Sequence, residues 1–360
     1  MMPQLFEADV RSDEEKRHWV RQFEESTSRR AVMGTNQWAE SVASLLNIEY
    51  FIDDFTAKTT FCNRPVIRAH EALRDVMTLT TTTIGRPLTA REVLRKHVDS
   101  HLDYYSFLRF TLLPVERIAY LADDIYCKSE TVETLQQLRM RLFDDVSVET
   151  LDRVMMLRRD LNLDAMIVFA DTQADQYFEP FLRLSGDGTF IDVGAYDGYT
   201  TNYVLKKYGS SVQCHVFEPG TQMVQILNVK YGGISNVHVH PFALSDRKER
   251  IQFDENGSSS KVGTGDDFID ARTLDSFQIN SVDLIKVDIE GAEERFLDGA
   301  IDTIERCNPQ LAIACYHTNA QMVNIFRKLN QLLPDSRVFL RHYTEGFAET
   351  DMFFVPPRFW

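Results

Sequence analysis

The sequence predicts an α/β protein with two parallel sheets, the second closed at one edge by an antiparallel hairpin. Three observations predict this class. Apolar runs and helical segments alternate from Thr189 onward, and residues 31–54 have the pattern strand, turn, helix, strand. The last two strands are joined by only Thr344-Glu345-Gly346, which is too short for a helical crossover. We expect a small Rossmann-like α/β domain, a helical linker and a larger α/β domain, at residues 1–112, 113–176 and 177–360.

Composition and charge narrow the function classes. The 360-residue chain is 44% hydrophobic, enough for a full core, and its formal charge of −15 argues against a general affinity for nucleic acid or anionic membranes. The N-terminus has no signal-peptide pattern and no apolar run reaches ~18 residues, so we expect no membrane span and a cytoplasmic protein. The five cysteines are scattered without the spacing of a zinc site and indicate free thiols: Cys62, Cys127, Cys214, Cys307 and Cys315.

The first predicted domain contains a degraded nucleotide-binding pattern. The turn at residues 34–39 opens a helix, and the strand at residues 48–52 ends in Asp53-Asp54. An acid about twenty residues after the glycine is the spacing with which dinucleotide-binding folds hold a ribose. However, Asn36 and Ala39 replace the second and third glycines of that fingerprint. We expect a turn that binds nothing, with a sugar-nucleotide site and a dinucleotide-dependent oxidoreductase as alternatives.

The elements between this turn and the second sheet are predicted from apolar spacing and β-branched runs. We expect helices at residues 11–28, 89–110 and 114–163, and a strand at residues 78–83. Phe143-Asp144-Asp145 should divide the long helical stretch, with Ser147 as the N-cap of the helix that follows.

The second sheet is predicted element by element. The expected strands are 189–193, 213–218, 237–241, 283–288, 310–316, 337–343 and 351–355, and the expected helices are 200–208, 221–231, 292–306 and 320–333. The glycine- and serine-rich segment from Asn256 to Gly265 predicts a mobile loop over the functional site.

Three strand ends carry the residues that indicate a ligand site. Residues 191–201 (IDVGAYDGYTT) are a buried strand, a glycine turn and the start of a helix, so they offer free backbone N–H groups and a positive helix end. Glu218 ends the next strand, where such folds bind a ribose diol. Residues 282–291 (VDLIKVDIEG) form another buried strand, which ends in Asp288 and Glu290. The carboxyl ends of parallel strands meet, so these groups should converge.

Together these segments resemble the FkbM family of S-adenosylmethionine (SAM)-dependent methyltransferases. Residues 191–201 match the family pattern IDVGAnxGxxT, except that Tyr196 stands where asparagine is common. The family pattern K-x-D-x-E-G-x-E is matched by Lys286, Asp288, Glu290, Gly291 and Glu293. The resemblance covers roughly residues 177–357 and implies SAM as the methyl donor. It also implies a class I methyltransferase fold, in which one antiparallel hairpin closes a parallel sheet.

The resemblance implies a role for each strand end. Glu218 would accept both ribose hydroxyls, the glycine turn would pass under the methionine and ribose, and Asp192 or Asp197 would hold the ammonium, directly or through water. The region after the third strand would contact adenine. The expected cofactor-binding residues are Asp192, Gly194, Ala195, Tyr196, Asp197, Gly198, Thr201, Glu218, Pro219, Ala243 and Asp288.

A neutral sugar hydroxyl is a poor nucleophile, so a base should take its proton. The candidates at strand ends are Asp288, Glu290 and His317. His317 is the first choice because an unperturbed histidine titrates near neutrality, with Asp288 or Glu290 orienting it. We expect no metal, since the spacing of these three residues is not a recognised ligand signature. Two carboxylates and a histidine could nevertheless hold a divalent cation that acidifies the hydroxyl.

The sequence thus predicts an O-methyltransferase acting on a hydroxyl of a sugar in a polysaccharide or glycolipid precursor, a substrate class implied by the resemblance. The alternative is a non-catalytic sugar-nucleotide-binding module that keeps the fold. The complete motif at residues 286–293 argues against this alternative. We expect a small-molecule or glycan substrate and no nucleic-acid partner, and a homodimer is compatible with the sequence.

Overall fold

The computed structural model describes residues 6–25, 27–118, 121, 124–169, 172–209, 211–254, 261–262, 267–318 and 320–360. The chain divides into two compact units, each built from several segments. The first unit comprises Met1–Tyr126, Glu149–Ala174 and His342–Ala348, and the second comprises Cys127–Val148, Asp175–Arg341 and Glu349–Trp360. The three-part division at residues 112 and 176 stays a prediction. In the described part of the chain, no helix has both the length and the apolar character needed to cross a bilayer.

The first unit contains a doubly wound, mainly parallel sheet with the strand order β3-β4-β2-β1-β5-β6. Its elements are α1 (Asp13–Glu24), β1 (Arg30–Met33), α2 (Gln37–Leu45), β2 (Tyr50–Ile52), β3 (Thr60–Phe61), β4 (Arg64–Ile67), β5 (Met77–Thr80), α3 (Pro87–His97), β6 (His101–Asp103) and α4 (Tyr104–Phe110). Strand β1 pairs in parallel with β2 on one side and with β5 on the other. The predicted Rossmann-like strand–turn–helix–strand unit is therefore confirmed.

The single helix predicted over residues 89–110 is wrong. α3 ends at His97, Val98 adopts an extended conformation, and β6 then pairs in parallel with β5 before α4 begins. Asp103 caps α4 by accepting the N–H of Ser106 at 2.8 Å. No glycine or proline marks this break in the sequence, because it is pairing with the edge of the sheet that interrupts the helix.

Two helices follow, α5 (Ser129–Arg141) and α6 (Asp145–Asp160). The break between them lies where the sequence predicts it, but the cap is Asp144, whose Oδ1 accepts both the N–H and the hydroxyl of Ser147. Ser147 lies inside the first turn of α6, so its assignment as the N-cap was wrong. The continuous helix predicted from residue 114 is also wrong, since residues 114–118 are irregular.

The second unit contains a seven-stranded sheet with the order β16-β17-β15-β14-β7-β8-β9. The elements of the unit and its flanks are β7 (Thr189–Val193), α7 (Tyr199–Tyr208), β8 (Gln213–Phe217), α8 (Thr221–Tyr231), β9 (Val237–His240), β10 (Ala243–Leu244), β11 (Glu249–Asp254), β12 (Lys261–Val262), β13 (Asp267–Arg272), β14 (Leu284–Val287), α9 (Glu293–Asp298), α10 (Ile301–Cys307), β15 (Gln310–Ala314), α11 (Gln321–Leu332), β16 (Arg337–His342) and β17 (Thr350–Val355). β17 runs antiparallel to β15, whereas β7, β8, β9, β14 and β15 pair in parallel. The predicted fold class is confirmed.

Two features of this unit were not predicted. A small sheet of order β10-β13-β11-β12 follows β9, although its two longer strands have alternating patterns that could have revealed it. The helix predicted over residues 292–306 is divided at Gly299, where a Cβ would overlap the backbone oxygen of Ser245. The loop predicted from Asn256 to Gly265 lies outside the described residues, apart from Lys261 and Val262.

Candidate active site

The tips of β7 and β14 touch at the glycine turn, residues 194–198. Gly194, Tyr196 and Gly198 all have positive φ angles, of 75°, 49° and 76°. A Cβ on Gly194 would overlap the backbone oxygen of Asp288, the residue that follows β14. The turn therefore needs glycine for its backbone conformation and for this close approach.

Glu218 brings the tip of β8 to the same turn. Its side chain is buried, and its carboxylate accepts the N–H of Tyr196 at 2.9 Å and the N–H of Gly220 at 2.8 Å. Burial raises the pKa of Glu218, although these two hydrogen bonds and the charge of Lys286 oppose the rise. The predicted convergence of glycine, glutamate and aspartate at three neighbouring strand tips is thus present.

Asp192 lies below the turn and is fully buried. Its Oδ2 accepts the hydroxyl of Thr201 at 2.7 Å, and its Oδ1 lies 3.3 Å from Nζ of Lys286. Burial alone would lower the pKa of Lys286, but the charges of Asp192, Asp288 and Glu218 and the hydrogen bond to Asp192 together raise it. These contacts join β7, α7 and β14, so Asp192 supports the turn from inside.

The other predicted cofactor residues lie in different surroundings. Asp197 is exposed and accepts the N–H of Tyr199, the first residue of α7, at 2.9 Å. Ala195 is buried in the turn, and Pro219 directly follows Glu218. Ala243 lies in β10, where it pairs with Ala271 of the smaller sheet.

Four residues form an acid–base group that we call the strand-end cluster: Asp288, Glu290, Glu293 and His317. The imidazole of His317 is 6% exposed, and its Nδ1 lies 3.1 Å from Oε1 of Glu293. Its Nε2 lies 3.5 Å from Oδ1 of Asp288 and 3.6 Å from Oε2 of Glu290. All three residues predicted to act in catalysis therefore meet at one point, after β14 and β15.

Comparison with the profiles of known protein families shows what the second half of the chain is similar to. Residues 192–344 match the profile of the methyltransferase FkbM domain. We call the matched segment, residues 192–344, the FkbM domain. Such domains are SAM-dependent, so SAM is the methyl donor, as predicted.

Solved structures extend the likeness in fold. The methyltransferase FkbM of Methylobacillus flagellatus KT is similar with a TM-score of 0.74 and 23% identity, over 96% of this chain and 94% of that one. The likeness therefore includes the fold of both units. The fibrillarin of Aeropyrum pernix in complex with SAM is similar over 50% of this chain and 70% of that one, at 10% identity and a TM-score of 0.34, which is too low to support an inference. A comparison with curated proteins gave no match.

The glycine turn and Glu218 fit the SAM nucleoside. Each oxygen of the Glu218 carboxylate accepts one backbone N–H, which leaves each with a further lone pair for a ribose hydroxyl. The two N–H bonds fix the carboxylate toward the turn of the FkbM domain. The individual contacts with SAM stay predictions.

The pKa values of His317 and Glu290 differ from those of unperturbed side chains. Burial alone would lower the pKa of His317, but the bond to Glu293 and the charges of Glu293, Asp288 and Glu290 raise it to about 9. Burial, with a smaller contribution from Asp288 and Glu293, raises the pKa of Glu290 to about 7. In this arrangement His317 is an imidazolium at neutral pH. It cannot accept a proton in that form, so the geometry favours a carboxylate as the proton acceptor.

Sequence reasoning missed the groups that hold Asp288. The hydroxyl of Tyr177 donates to Oδ2 of Asp288 at 2.9 Å, and Nε2 of Gln176 lies 3.0 Å from that hydroxyl and 2.7 Å from Oε2 of Glu349. Tyr177 and Glu349 have positive φ angles of 68° and 66°, a strained conformation typical of functional sites. Burial raises the pKa of Glu349 to about 7, and that of Asp351, which is fully buried, well above its usual range. The sequence did contain one sign of these groups, since Asp351 is an ionisable residue in an otherwise apolar predicted strand.

The turn of the first unit is occupied by its own side chains. Asn36 accepts the N–H of Ala39 at 3.0 Å and so caps α2. Asp53, the predicted ribose acid, accepts the hydroxyl of Thr35 at 2.7 Å and the N–H of Thr56 at 3.0 Å. These contacts support the interpretation of a structural turn, which stays a prediction.

Proposed function

We propose that the FkbM domain transfers the methyl group of SAM to a hydroxyl oxygen, in a sugar of a polysaccharide or glycolipid precursor. One observation carries the reaction type. Asp288 contacts the glycine turn through its backbone oxygen, while its carboxylate faces His317. Acid–base groups directly beside the proposed SAM site suit an acceptor that must lose a proton, as a hydroxyl does. The sugar class rests on the family resemblance.

Cofactor binding is proposed to use the three strand tips. Glu218 accepts the ribose hydroxyls, and the backbone of residues 194–198 lies under the methionine and ribose. We propose that Asp197 meets the ammonium through water. Its carboxylate is exposed, whereas Asp192 is committed to Thr201 and Lys286. Ala243 is proposed at the adenine edge.

The acceptor is proposed to approach from the exposed side of the strand-end cluster. The side chains of Asp288 and Glu290 are 23% and 32% exposed, whereas His317 lies behind them. We assign proton acceptance to Glu290, the most accessible of the three, with Asp288 orienting the hydroxyl and His317 holding both carboxylates in place. SAM supplies an electrophilic methyl, so these residues mainly position the oxygen and remove its proton, and orientation contributes ~7–11 kcal/mol.

The test is an intact-mass screen of glycans incubated with the protein and labelled SAM. We expect a mass increase of one methyl group on oxygen. Glu290→Gln should slow transfer ~10²–10⁴-fold while SAM affinity, measured by calorimetry, stays unchanged. Asp298→Asn is the matched control, since this exposed carboxylate on α9 pairs only with Lys328 in the described structure.

Other outcomes would redirect the assignment. Methylation on nitrogen or sulfur would contradict the proposed acceptor, and full turnover in Glu290→Gln would remove that residue as proton acceptor. Binding of sugar nucleotides without any methyl transfer would favour the non-catalytic module. Binding of NAD(P) by the protein would revive the oxidoreductase alternative at residues 31–54.

A further inference from the structure

We propose that the strand-end cluster binds one divalent metal ion between Nε2 of His317, Oδ1 of Asp288 and the carboxylate of Glu290. The inference deepens the proposed function and rests on it in one respect: the acceptor hydroxyl would be a further ligand of the ion. Mixed carboxylate and imidazole donors suit divalent first-row metals such as Mn²⁺.

The spacing of the donor atoms suits a shared ion better than direct hydrogen bonds. Nε2 of His317 lies 3.5 Å from Asp288 and 3.6 Å from Glu290, which exceeds the ~2.7–3.2 Å of an N–H···O bond. Two ligands that are each ~2.0–2.2 Å from one metal lie roughly 3–3.5 Å apart. One donor atom each from Asp288, Glu293 and His317 also lie within 4.8 Å of one another.

His317 is buried and turned toward this point. Among the described residues, neither its Nε2 nor Oδ1 of Asp288 has a hydrogen-bond partner, although both atoms are buried. The opposite nitrogen of His317 faces Glu293, and the opposite oxygen of Asp288 accepts the hydroxyl of Tyr177. Tyr177 therefore orients Asp288 from behind, and Glu293 lies behind His317, an arrangement that is usual for metal-binding side chains.

Glu293 belongs to that supporting layer rather than to the ligands. Its Oε1 accepts the N–H of Ile289 at 2.9 Å, and its Oε2 accepts the amide of Gln321. The side chain is fully buried, so both oxygens are already used inside the protein. Glu290 is partly exposed and is free to take the third position.

The charges near the cluster also favour a cation. The carboxylates of Glu349 and Asp351 interact electrostatically with Asp288. Lys286 is committed to Asp192 and to the carbonyl oxygen of Gly194. Acidic side chains therefore outnumber basic ones around Asp288, which suits a cation site.

The ion would take the place of the proton on Nε2 of His317, and it would activate the acceptor without changing the overall reaction. The hydroxyl oxygen binds the ion, and its proton passes to the uncoordinated oxygen of Glu290. The hydroxyl oxygen then bonds to the methyl carbon of SAM while the bond between that carbon and sulfur breaks. The electron pair of the broken bond stays on sulfur.

The test is titration of chelator-treated full-length protein with Mn²⁺, followed by the electron-spin resonance signal of free Mn²⁺. We expect one site per chain, which His317→Ala and Asp288→Asn abolish. Glu293→Gln should weaken it ~10–100-fold, as expected for a residue that orients a ligand. Asp298→Asn should bind Mn²⁺ like the unmodified protein, and a near-UV circular dichroism spectrum like that of the unmodified protein would show that each variant has kept its fold.

The outcomes separate this inference from the proposed function. No Mn²⁺ binding together with full methyl transfer after chelation would overturn the metal site and leave the transferase standing. Mn²⁺ binding that all variants retain would place the ion elsewhere and overturn the inference too. If the cluster bound an amino sugar in place of Mn²⁺, it would be a binding site for an ammonium group, and this outcome too would overturn the inference. Mn²⁺ binding without methylation of any hydroxyl would support the site and contradict the proposed acceptor.

Discussion

Gly194→Ala tests whether the contact between two strand tips organises the site. An L-residue at φ 75° costs about 1–2 kcal/mol. The new Cβ would also overlap the backbone oxygen of Asp288, and relieving that overlap costs about 1–3 kcal/mol more. The total of about 2–5 kcal/mol should lower the Tm of a unit of this size by at least ~4 °C. Because Asp288 must move, methyl transfer should fall further than stability alone predicts.

Gly85→Ala is the matched control for this change. Gly85 has a φ of 73°, and no described atom lies within 4 Å of the Cβ it would gain, so this variant carries only the backbone cost. Calorimetric melting and SAM titration of both variants give the comparison. If Gly194→Ala melts no earlier than Gly85→Ala and binds SAM with normal affinity, the close approach does not organise the site.

Three further predictions follow from named contacts. Burial raises the pKa of Glu218, so SAM affinity should begin to fall at a higher pH, as the pH is lowered, than it would with an exposed glutamate. In calorimetry, Glu218→Gln should weaken SAM binding about 10–150-fold and flatten this pH dependence. An unchanged pH profile in the variant would contradict the assignment. Tyr177→Phe removes the hydrogen bond to Asp288 and should lower kcat about tenfold with unchanged SAM affinity, whereas an unaltered kcat would show that Asp288 needs no such support. Burial alone would raise the pKa of Asp9, but Arg11 lowers it from 3.8 to about 2. This carboxylate should therefore contribute about 2 kcal/mol to the free energy of unfolding above pH ~4, and the contribution should be lost as the pH falls toward 2. Urea unfolding of Asp9→Asn should show a weaker acid dependence than the unmodified protein, and equal slopes would refute the contribution.

Much of the second unit's fold could be predicted from local pattern. β7 and β14 are buried at every residue because both faces of a parallel sheet are covered. The short connection before β17 predicts that β16 and β17 are neighbours and that β17 runs against the parallel strands. In the structure β17 lies beside β16 and is antiparallel to β15. The interruption between α3 and α4 could not be predicted from local pattern, because β6 exists only through its pairing with β5.

The candidate site divides in the same way. The glycine turn, Glu218 and Asp288 could be predicted because each residue type has a local reason to stand at a strand end. Tyr177 and Glu349 could not, since their link to Asp288 joins segments more than 100 residues apart in sequence.

The sequence by itself determined the parallel sheet, its closing hairpin, the family pattern and the residue types at three strand tips, because hydrophobic period and turn chemistry act over a few residues. The tertiary structure alone decided what those residues can do. It surrounds His317 with carboxylates from α9 and from the end of β14, so a side chain expected to be a neutral base is held as a cation. Charge state depends on neighbours in space, and only folding brings those neighbours together.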